Sequence, residues 1–413
     1  MQKSSKKITR ARTAAISGLV MLTALVGCSS DSADNGSAGS GSSTSATADN
    51  TAGTTGTTGT ATTATPITDD TDWDALPNTE VTLNDDGLAI TEAGTYVLSG
   101  TTTGQVTVET DGAVRIVLDG ATIKSTAGPA IEVVSADTTV LNIAEDSTNT
   151  VSDAATRTDE EIDGAIYSAD DLLINGSGTL DVTANFADGI VGKDDLTIES
   201  GTINVTSVDD GIRGKDSLIV SGPKITIDAA GDAMKASNDT DLGKGQLVIS
   251  GGDITITAGD DAIKAEQHLS ITGGTIDVVE SVEGIEAPVI VIDDGDITIN
   301  ASDDGINASA SAIVTTGLSI TINGGRITIV MGPGDTDAID SNGDLTITGG
   351  VIDITAQSAF DFDGTGTLTG ATVTINGESV TELTNQMMGG PMGGGGPMGG
   401  GGPGGGGPPG GGN

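Results

Sequence analysis

Seven acidic residues recur in one local context: Asp188, Asp210, Asp232, Asp261, Glu283, Asp304 and Asp337 each precede Gly or Ala and then Ile or Met. Their separations are 22, 22, 29, 22, 21 and 33 residues. One residue earlier stand Asp209, Asp260 and Asp303. Three residues later stand Val191, Arg213, Lys235, Lys264, Glu286, Asn307 and Asp340. If the repeat stacks, each position becomes a column of charge. Carboxylates one strand spacing apart repel by roughly 3–4 kcal/mol per pair at an effective dielectric of about 20, so such a column needs cations. Lys235 and Lys264 can supply them locally. Around Glu283, Glu286, Asp303 and Asp304 no base is at hand, and Ca2+ suits the need, since it takes six to eight oxygens in flexible geometry. The expected metal ligands are therefore Asp209, Asp210, Asp232, Asp260, Asp261, Glu283, Glu286, Asp303, Asp304, Asp337 and Asp340.

The elements that would position these columns follow from the apolar residues. Counted from each acid, aliphatic residues fall at +2, +8, +10, +15 and +17, as in Ile190, Leu196, Ile198, Ile203 and Val205. Pairs two apart have the period of a strand, and Ser-Gly, Gly-Gly or Asp-Gly turns separate the pairs. A unit of about 22 residues with three short strands predicts one turn of a single-stranded parallel β-helix, an all-β solenoid whose rungs bury one another. The longer separations place loops at Ser237–Gly245, Ser309–Gly317 and Gly332–Asp335. Val81 to Asp153 has the same strand-and-turn character without the clear period, as in Val114–Gly120 and Val140–Ile143. The β-helix is expected over 72–385, with 72–112 as its N-terminal cap.

Composition narrows the function. Lys and Arg number 16 against 59 Asp and Glu, a net charge of −43, which repels nucleic acid and anionic headgroups and attracts cations. Aromatic residues are 1% of the chain, too few for stacking platforms or a conventional core. A sole histidine, His268, argues against a Ser-His-Asp site or a multi-histidine metal site, and a sole cysteine, Cys28, leaves no internal disulfide. His268 precedes an inward Leu269 and is expected to be solvated or packed under a loop.

The N-terminus reads as an export signal. Lys3, Lys6, Lys7, Arg10 and Arg12 precede an uncharged apolar run from Thr13 to Gly27, too short to span a bilayer, for which about 20 residues are needed. It ends Leu-Val-Gly-Cys and resembles a bacterial lipobox, which implies a signal peptide over 1–27 and lipidation of Cys28. Residues 28–71 are rich in Ser, Thr and Gly and are expected as a disordered tether. Residues 386–413, rich in Gly, Pro and Met, are expected as a disordered tail. The protein is then a lipoprotein on the outer face of the cell envelope, held to the membrane by its lipid alone.

Three stretches carry a family resemblance: Ala93–Gly100 (Ala-Gly-Thr-Tyr-Val-Leu-Ser-Gly), Val282–Ala287 and Asp303–Ala308, together with the Gly-Gly-x-Ile turns. Over Val81 to Ile375 they resemble the bacterial carbohydrate-binding domain-containing protein family, which includes a clostridial cell-surface β-helix. The resemblance implies a right-handed parallel β-helix, bound calcium, and binding of polygalacturonate and cellulose. It also implies a fold similar to that of family 9 polysaccharide lyases. On this reading the chain is a monomeric, non-catalytic, calcium-dependent binder of polysaccharide that does not bind nucleic acid. Calcium bridges uronate carboxylates to the acidic columns, and Arg213, Lys235, Lys264 and Asn307 meet the glycan. Two alternatives stand beside it. One is a calcium-dependent lyase using Lys235 or Lys264 as base. The other is a surface stalk that calcium merely stiffens.

Overall fold

The computed structural model describes residues 64–334 and 336–385. The expected signal peptide, Cys28, the tether up to residue 63 and the tail over 386–413 lie outside the described residues, as does Asp335 at the end of one expected loop. What is described is a parallel β-helix whose coil has three faces.

One rung shows how the aliphatic spacing builds it. Asp188–Gly192 lies on the first face, Asp195–Ile198 on the second and Thr202–Ser207 on the third. Each strand pairs in parallel with its counterpart a rung away: Ile190 with Ile212, Leu196 with Leu218, Ile203 with Ile225. The five predicted inward positions are buried in this rung and in those that follow. Each Ile, Leu or Val so enclosed contributes about 1.5–3 kcal/mol, but only when the neighbouring rungs close over it. The first face is a 12-stranded sheet. The second and third form one continuous network of 24 strands, because in the early coils single strands turn the corner. Ala113–Lys124, for example, pairs with Thr138–Ile143 through its first half and with Thr148–Ser152 through its second.

Parallel pairing begins within residues 72–112, at the end of the coil expected to be capped. Asn78–Leu83 already pairs in parallel with Gly94–Thr102, and Leu88–Ile90 with Val106–Glu109, so the segment supplies early rungs itself. Their register is hidden in the sequence because their coils are shorter than the later ones. At the other end Thr372–Ile375 turns back onto Glu378–Val380, the one antiparallel pairing among the described residues. The expected loops at Ser237–Gly245 and Ser309–Gly317 lie between strands.

The last residues of the expected tether are packed rather than free. The segment Ala64–Trp73 runs along the second face as a strap. The Ile67 amide donates to Thr197 Oγ1 at 3.1 Å, and Ala64 and Thr65 lie against Asp195, Asp216, Ser217, Lys244 and Gln246. At its other end Trp73 stacks under the Arg115 guanidinium at 4.9 Å, and its indole N–H donates to Asp69 Oδ2 at 2.7 Å. Arg115, Val140, Leu173, Thr197, Ile219 and Val248 form one outward column by strand register. Polar residues are the expected occupants of outward positions, yet Val140, Leu173 and Ile219 are apolar and buried. The strap follows that column, which accounts for their burial. His268 sits on the same face. It is buried, not solvated, and burial pushes its imidazole pKa down.

Asp232, Asp261 and Asp337 are followed by alanine, but where glycine follows the acid it fills a place with no room for a Cβ. Gly211 has no left-handed φ, yet a Cβ there would stand 2.6 Å from Ala233 O of the next rung and equally close to Ile227 Cγ2. Gly284 is in the same position against Gly305 and Ile299. Gly284→Ala is therefore expected to cost roughly 1–3 kcal/mol as an overpacking strain, read as a shift in the urea midpoint. An unchanged midpoint would mean that the rung spacing yields freely at this corner.

Candidate functional site

The acidic column lies at the corner where the third face passes into the first, and the structure gives it a role across rungs. The amide of each acid donates to the carboxylate one rung below: Asp210 N–H to Asp188 Oδ1 at 3.2 Å, Asp232 to Asp210 at 3.0 Å, and Asp261 to Asp232 at 3.0 Å. The pattern resumes with Asp337 N–H to Asp304 Oδ1 at 3.0 Å, and the Ser358 hydroxyl bonds to Asp337 Oδ1. A backbone donor at a corner has no strand partner there, so the carboxylate fills a place that a ladder bond would otherwise take.

The other carboxylate oxygens divide the column into two blocks. In the lower block every base expected to meet ligand is already engaged. Arg213 reaches Asp188 Oδ2 at 2.6 Å and Asp163 Oδ2 at 2.5 Å. Lys235 reaches Asp232 at 2.7 Å and Asp210 at 3.3 Å. Lys264 bonds Asp261 at 2.6 Å and also Glu286. Burial works against the charge of both lysines. The facing carboxylates more than offset it and hold both ammonium groups above their ordinary range. Asp188 is pushed up to about 7 by burial, against the pull of Arg213. Asp261 and Glu286 hydrogen-bond to each other and titrate together. Burial and that bond raise Asp261. For Glu286, burial is outweighed by hydrogen bonds from Asp261, Lys264 and Ser309, which lower it.

The upper block has no base. Among the described residues none lies within ion-pairing distance of Glu283, Asp303, Asp304, Asp340 or Asp361. Burial is the first cause that raises Glu283 to about 7, Asp304 to about 6 and Asp340 to about 7. Their neighbours' charges add to it: Glu286 beside Glu283, Asp303 beside Asp304, and Asp304 and Asp361 beside Asp340. The ladder also breaks here. Glu283 Oε2 accepts from Asn307 Nδ2 at 3.1 Å, and Asn307 Oδ1 is left buried with no hydrogen-bond partner. A buried amide oxygen without a donor, among half-buried carboxylates without a base, fits a hard cation that takes oxygen ligands.

Two sets of three carboxylates lie with ligand atoms within 4.8 Å of one another: Asp232, Asp260 and Asp261, and Asp261, Glu283 and Glu286. Both contain carboxylates already held by Lys235 or Lys264, and Asp260 and Glu283 are the members with no ion pair. Asp209, Asp210, Asp303, Asp304, Asp337 and Asp340 fall outside such sets among the described residues. Asp209, Asp260 and Asp303 are exposed at the tip of the corner, whereas Asp304, Asp337 and Asp340 are half-buried.

Some functional residues escaped the repeat. Asp163 closes the Arg213 cluster from 50 residues away. It sits one residue out of register in Asp-Gly-Ala-Ile, where the others place a single Gly or Ala between the acid and the Ile or Met. Asp361 continues the column that holds Asp340, paired with it in strand register; Phe360 in place of the usual Ile disguised it. Ser309 was assigned to a loop, and its hydroxyl bonds Glu286 Oε1 at 2.5 Å.

The model of the carbohydrate-binding domain-containing protein family matches residues 84–335 and 280–386. A carbohydrate-binding domain-containing protein of Acetivibrio thermocellus is 36% identical over 124 residues, which are 28% of this chain and 43% of that protein. The chain thus matches less than half the length of that relative. A polysaccharide lyase-like protein from C. thermocellum, solved as a gadolinium derivative, superposes with a TM-score of 0.47 at 30% identity, over 54% of this chain and 97% of that one.

Proposed function

Because the chain belongs to the carbohydrate-binding domain-containing protein family, we propose that it is a non-catalytic, calcium-dependent binder of acidic polysaccharide. We place it on the outer face of the cell envelope through a lipid on Cys28. The observation that carries the calcium reading is the base-free upper block with its orphaned Asn307 Oδ1. Glu283, Asp304, Asn307 and Asp340 would share the holding of calcium along the column, Glu283 together with Glu286 where carboxylates gather, and Asp304 and Asp340 on the rungs beyond, with Asp361 at the margin. When bound, calcium supplies positive charge and open coordination positions that a uronate carboxylate can share. The carboxylates present oxygens on successive rungs. Asn307 orients Glu283 through its Nδ2 and offers its Oδ1.

The state of the bases argues for binding rather than lysis. A lyase base must be neutral to take a proton from carbon. Lys235 and Lys264 are each clamped between two carboxylates that stabilise the ammonium form. Their ion pairs also change their part in binding: Arg213, Lys235 and Lys264 neutralise the ladder and are not free to pair with a glycan.

The test is retention of the protein on insoluble polygalacturonate. Wild type is expected to be retained in calcium and released by EDTA, with no unsaturated product absorbing in the ultraviolet. D304N/D340N is expected to lose both calcium binding, read by calorimetry, and retention. Retention that survives EDTA would sink the calcium reading. Accumulation of unsaturated product would replace the binder with a lyase.

A further inference from the structure

With Arg213, Lys235 and Lys264 occupied, the first face still carries two bases that are not. Lys193 and Lys215 follow Gly192 and Gly214, which are partners in strand register. The Lys215 amide donates to Gly192 O at 2.8 Å, so the two side chains leave adjacent rungs, about 4.8 Å apart. Both are half-buried, and neither forms an ion pair with a described residue. Of the acids that follow them in sequence, Asp216 is engaged elsewhere, by Lys244 Nζ at 2.5 Å and Asn238 Nδ2 at 2.7 Å, and Asp194, beside Lys193, forms no ion pair among the described residues.

These lysines form one wall of a cleft of about 310 Å³, lined also by Asp188, Asp210, Arg213 and Lys235. Arg213 and Lys235 neutralise the acids of its floor. With Asp163 also in the floor and Asp209 at the exposed rim, Lys193 and Lys215 on the wall bring the charge of the cleft to balance, and neither is tied to one acid by an ion pair. In a chain of net charge −43, this is where an anion meets the least repulsion and two donors at once. The upper rungs of the same face offer carboxylates and the Asn307 amide, with no base among the described residues.

We infer that Lys193 and Lys215 form an anion subsite that receives an acidic group of the bound polysaccharide, a uronate carboxylate or a sulfate ester, some rungs below the calcium-holding block. The inference rests on the polysaccharide-binding reading above and assigns its charge specificity to residues other than the ladder bases. A strand of glycan along the first face would then be gripped through two different chemistries. Ammonium groups hold one acidic unit directly, and a cation bridges another to Glu283, Asp304 and Asp340.

The experiment uses the full chain in calcium, with an oligogalacturonate, a sulfated oligosaccharide and a neutral cello-oligosaccharide as separate probes. K193Q/K215Q is expected to weaken binding of an acidic probe roughly tenfold to a hundredfold, the loss of two charge-assisted hydrogen bonds. Calcium binding by calorimetry and any neutral-probe affinity should stay at wild-type values, and K193R/K215R should retain most of the acidic affinity. Whichever acidic probe shows the loss identifies the anion. Undiminished acidic binding by K193Q/K215Q overturns this inference and leaves the calcium-dependent binder standing. An equal loss for the neutral probe overturns it as well, because the lysines would then serve the fold or the sugar ring. Wild type that binds no acidic probe in calcium overturns both readings together.

Discussion

Arg157→Ala is expected to destabilise the folded chain by about 3–5 kcal/mol, measured as lost unfolding free energy in urea. Arg157 and Asp153 meet at 2.6 Å with side-chain exposures of 1% and 0%. The guanidinium also donates to three carbonyl oxygens: Ile162 and Ala154, each at 2.9 Å, and Gly164 at 3.1 Å. Its face stacks on Phe186 at 4.8 Å. One planar group thus ties down the loop between Thr148–Ser152 and Gly164–Ser168, where the irregular early coils give way to the even repeat. Truncation leaves three buried carbonyls without that donor and Asp153 without its counter-charge. Asp153 keeps only the Asn185 amide, at 2.6 Å. Arg157→Lys should recover less than half of the loss, since an ammonium has no fork to reach four acceptors at once. A loss under about 1 kcal/mol, the ceiling typical of an exposed pair, would show that the network is not under the load its burial implies.

The second large effect is a dependence on pH that calcium should suppress. Glu283, Asp304 and Asp340 have folded pKa values of about 7, about 6 and about 7, above their ordinary range. Below that range folded and unfolded chains both hold these protons. As pH rises toward 7 the unfolded chain releases protons that the folded chain still keeps, so stability falls with rising pH and is lost through the folded pKa values. In EDTA the melting temperature should therefore drop by several degrees between pH 5 and pH 8. With calcium the drop should shrink or reverse, because the ion competes with the proton for the same oxygens and binds best when they are ionised. Asp188 and Asp261 tilt stability the same way, but each is bonded to a base. The share of the slope that calcium abolishes is thus the signature of the upper block, and E283Q/D304N/D340N should remove that share selectively. A melting temperature in EDTA that is flat or rising across this window would contradict the assignment.

The coil was legible wherever one residue type repeats for one reason. Ile190, Leu196, Ile198, Ile203 and Val205 mark the interior because every rung must fill the same section of core. The faces and the loops at Ser237–Gly245 and Ser309–Gly317 follow from that spacing. The acidic columns were legible as columns, but their work was not. A carboxylate that accepts the amide of a residue 22 positions on looks the same in sequence as one that waits for a metal. Nor can a sequence show that Arg213 is shared by Asp163 and Asp188, or that Lys264 lies between Asp261 and Glu286. Those partners are chosen by stacking, and stacking also leaves Lys193 and Lys215 unclaimed. Val140, Leu173 and Ile219 broke the rule of polar outward positions because the strap covers their column, a contact between residues more than 70 positions apart in the chain.

That strap also determines how the solenoid would carry force. A pull applied ahead of Ala64 enters on the flank, beside the rungs of Asp216 and Gln246, and not at the first coil. It must peel Ala64–Trp73 off the second face before Asn78 feels any tension. The Ile67–Thr197 hydrogen bond and the Trp73–Arg115 stack would yield in turn. Ten residues so released add about 33 Å of slack while every rung stays closed. The segment can thus act as a mechanical fuse, in which a sudden tug is absorbed by a contact that can re-form, and the coil is spared.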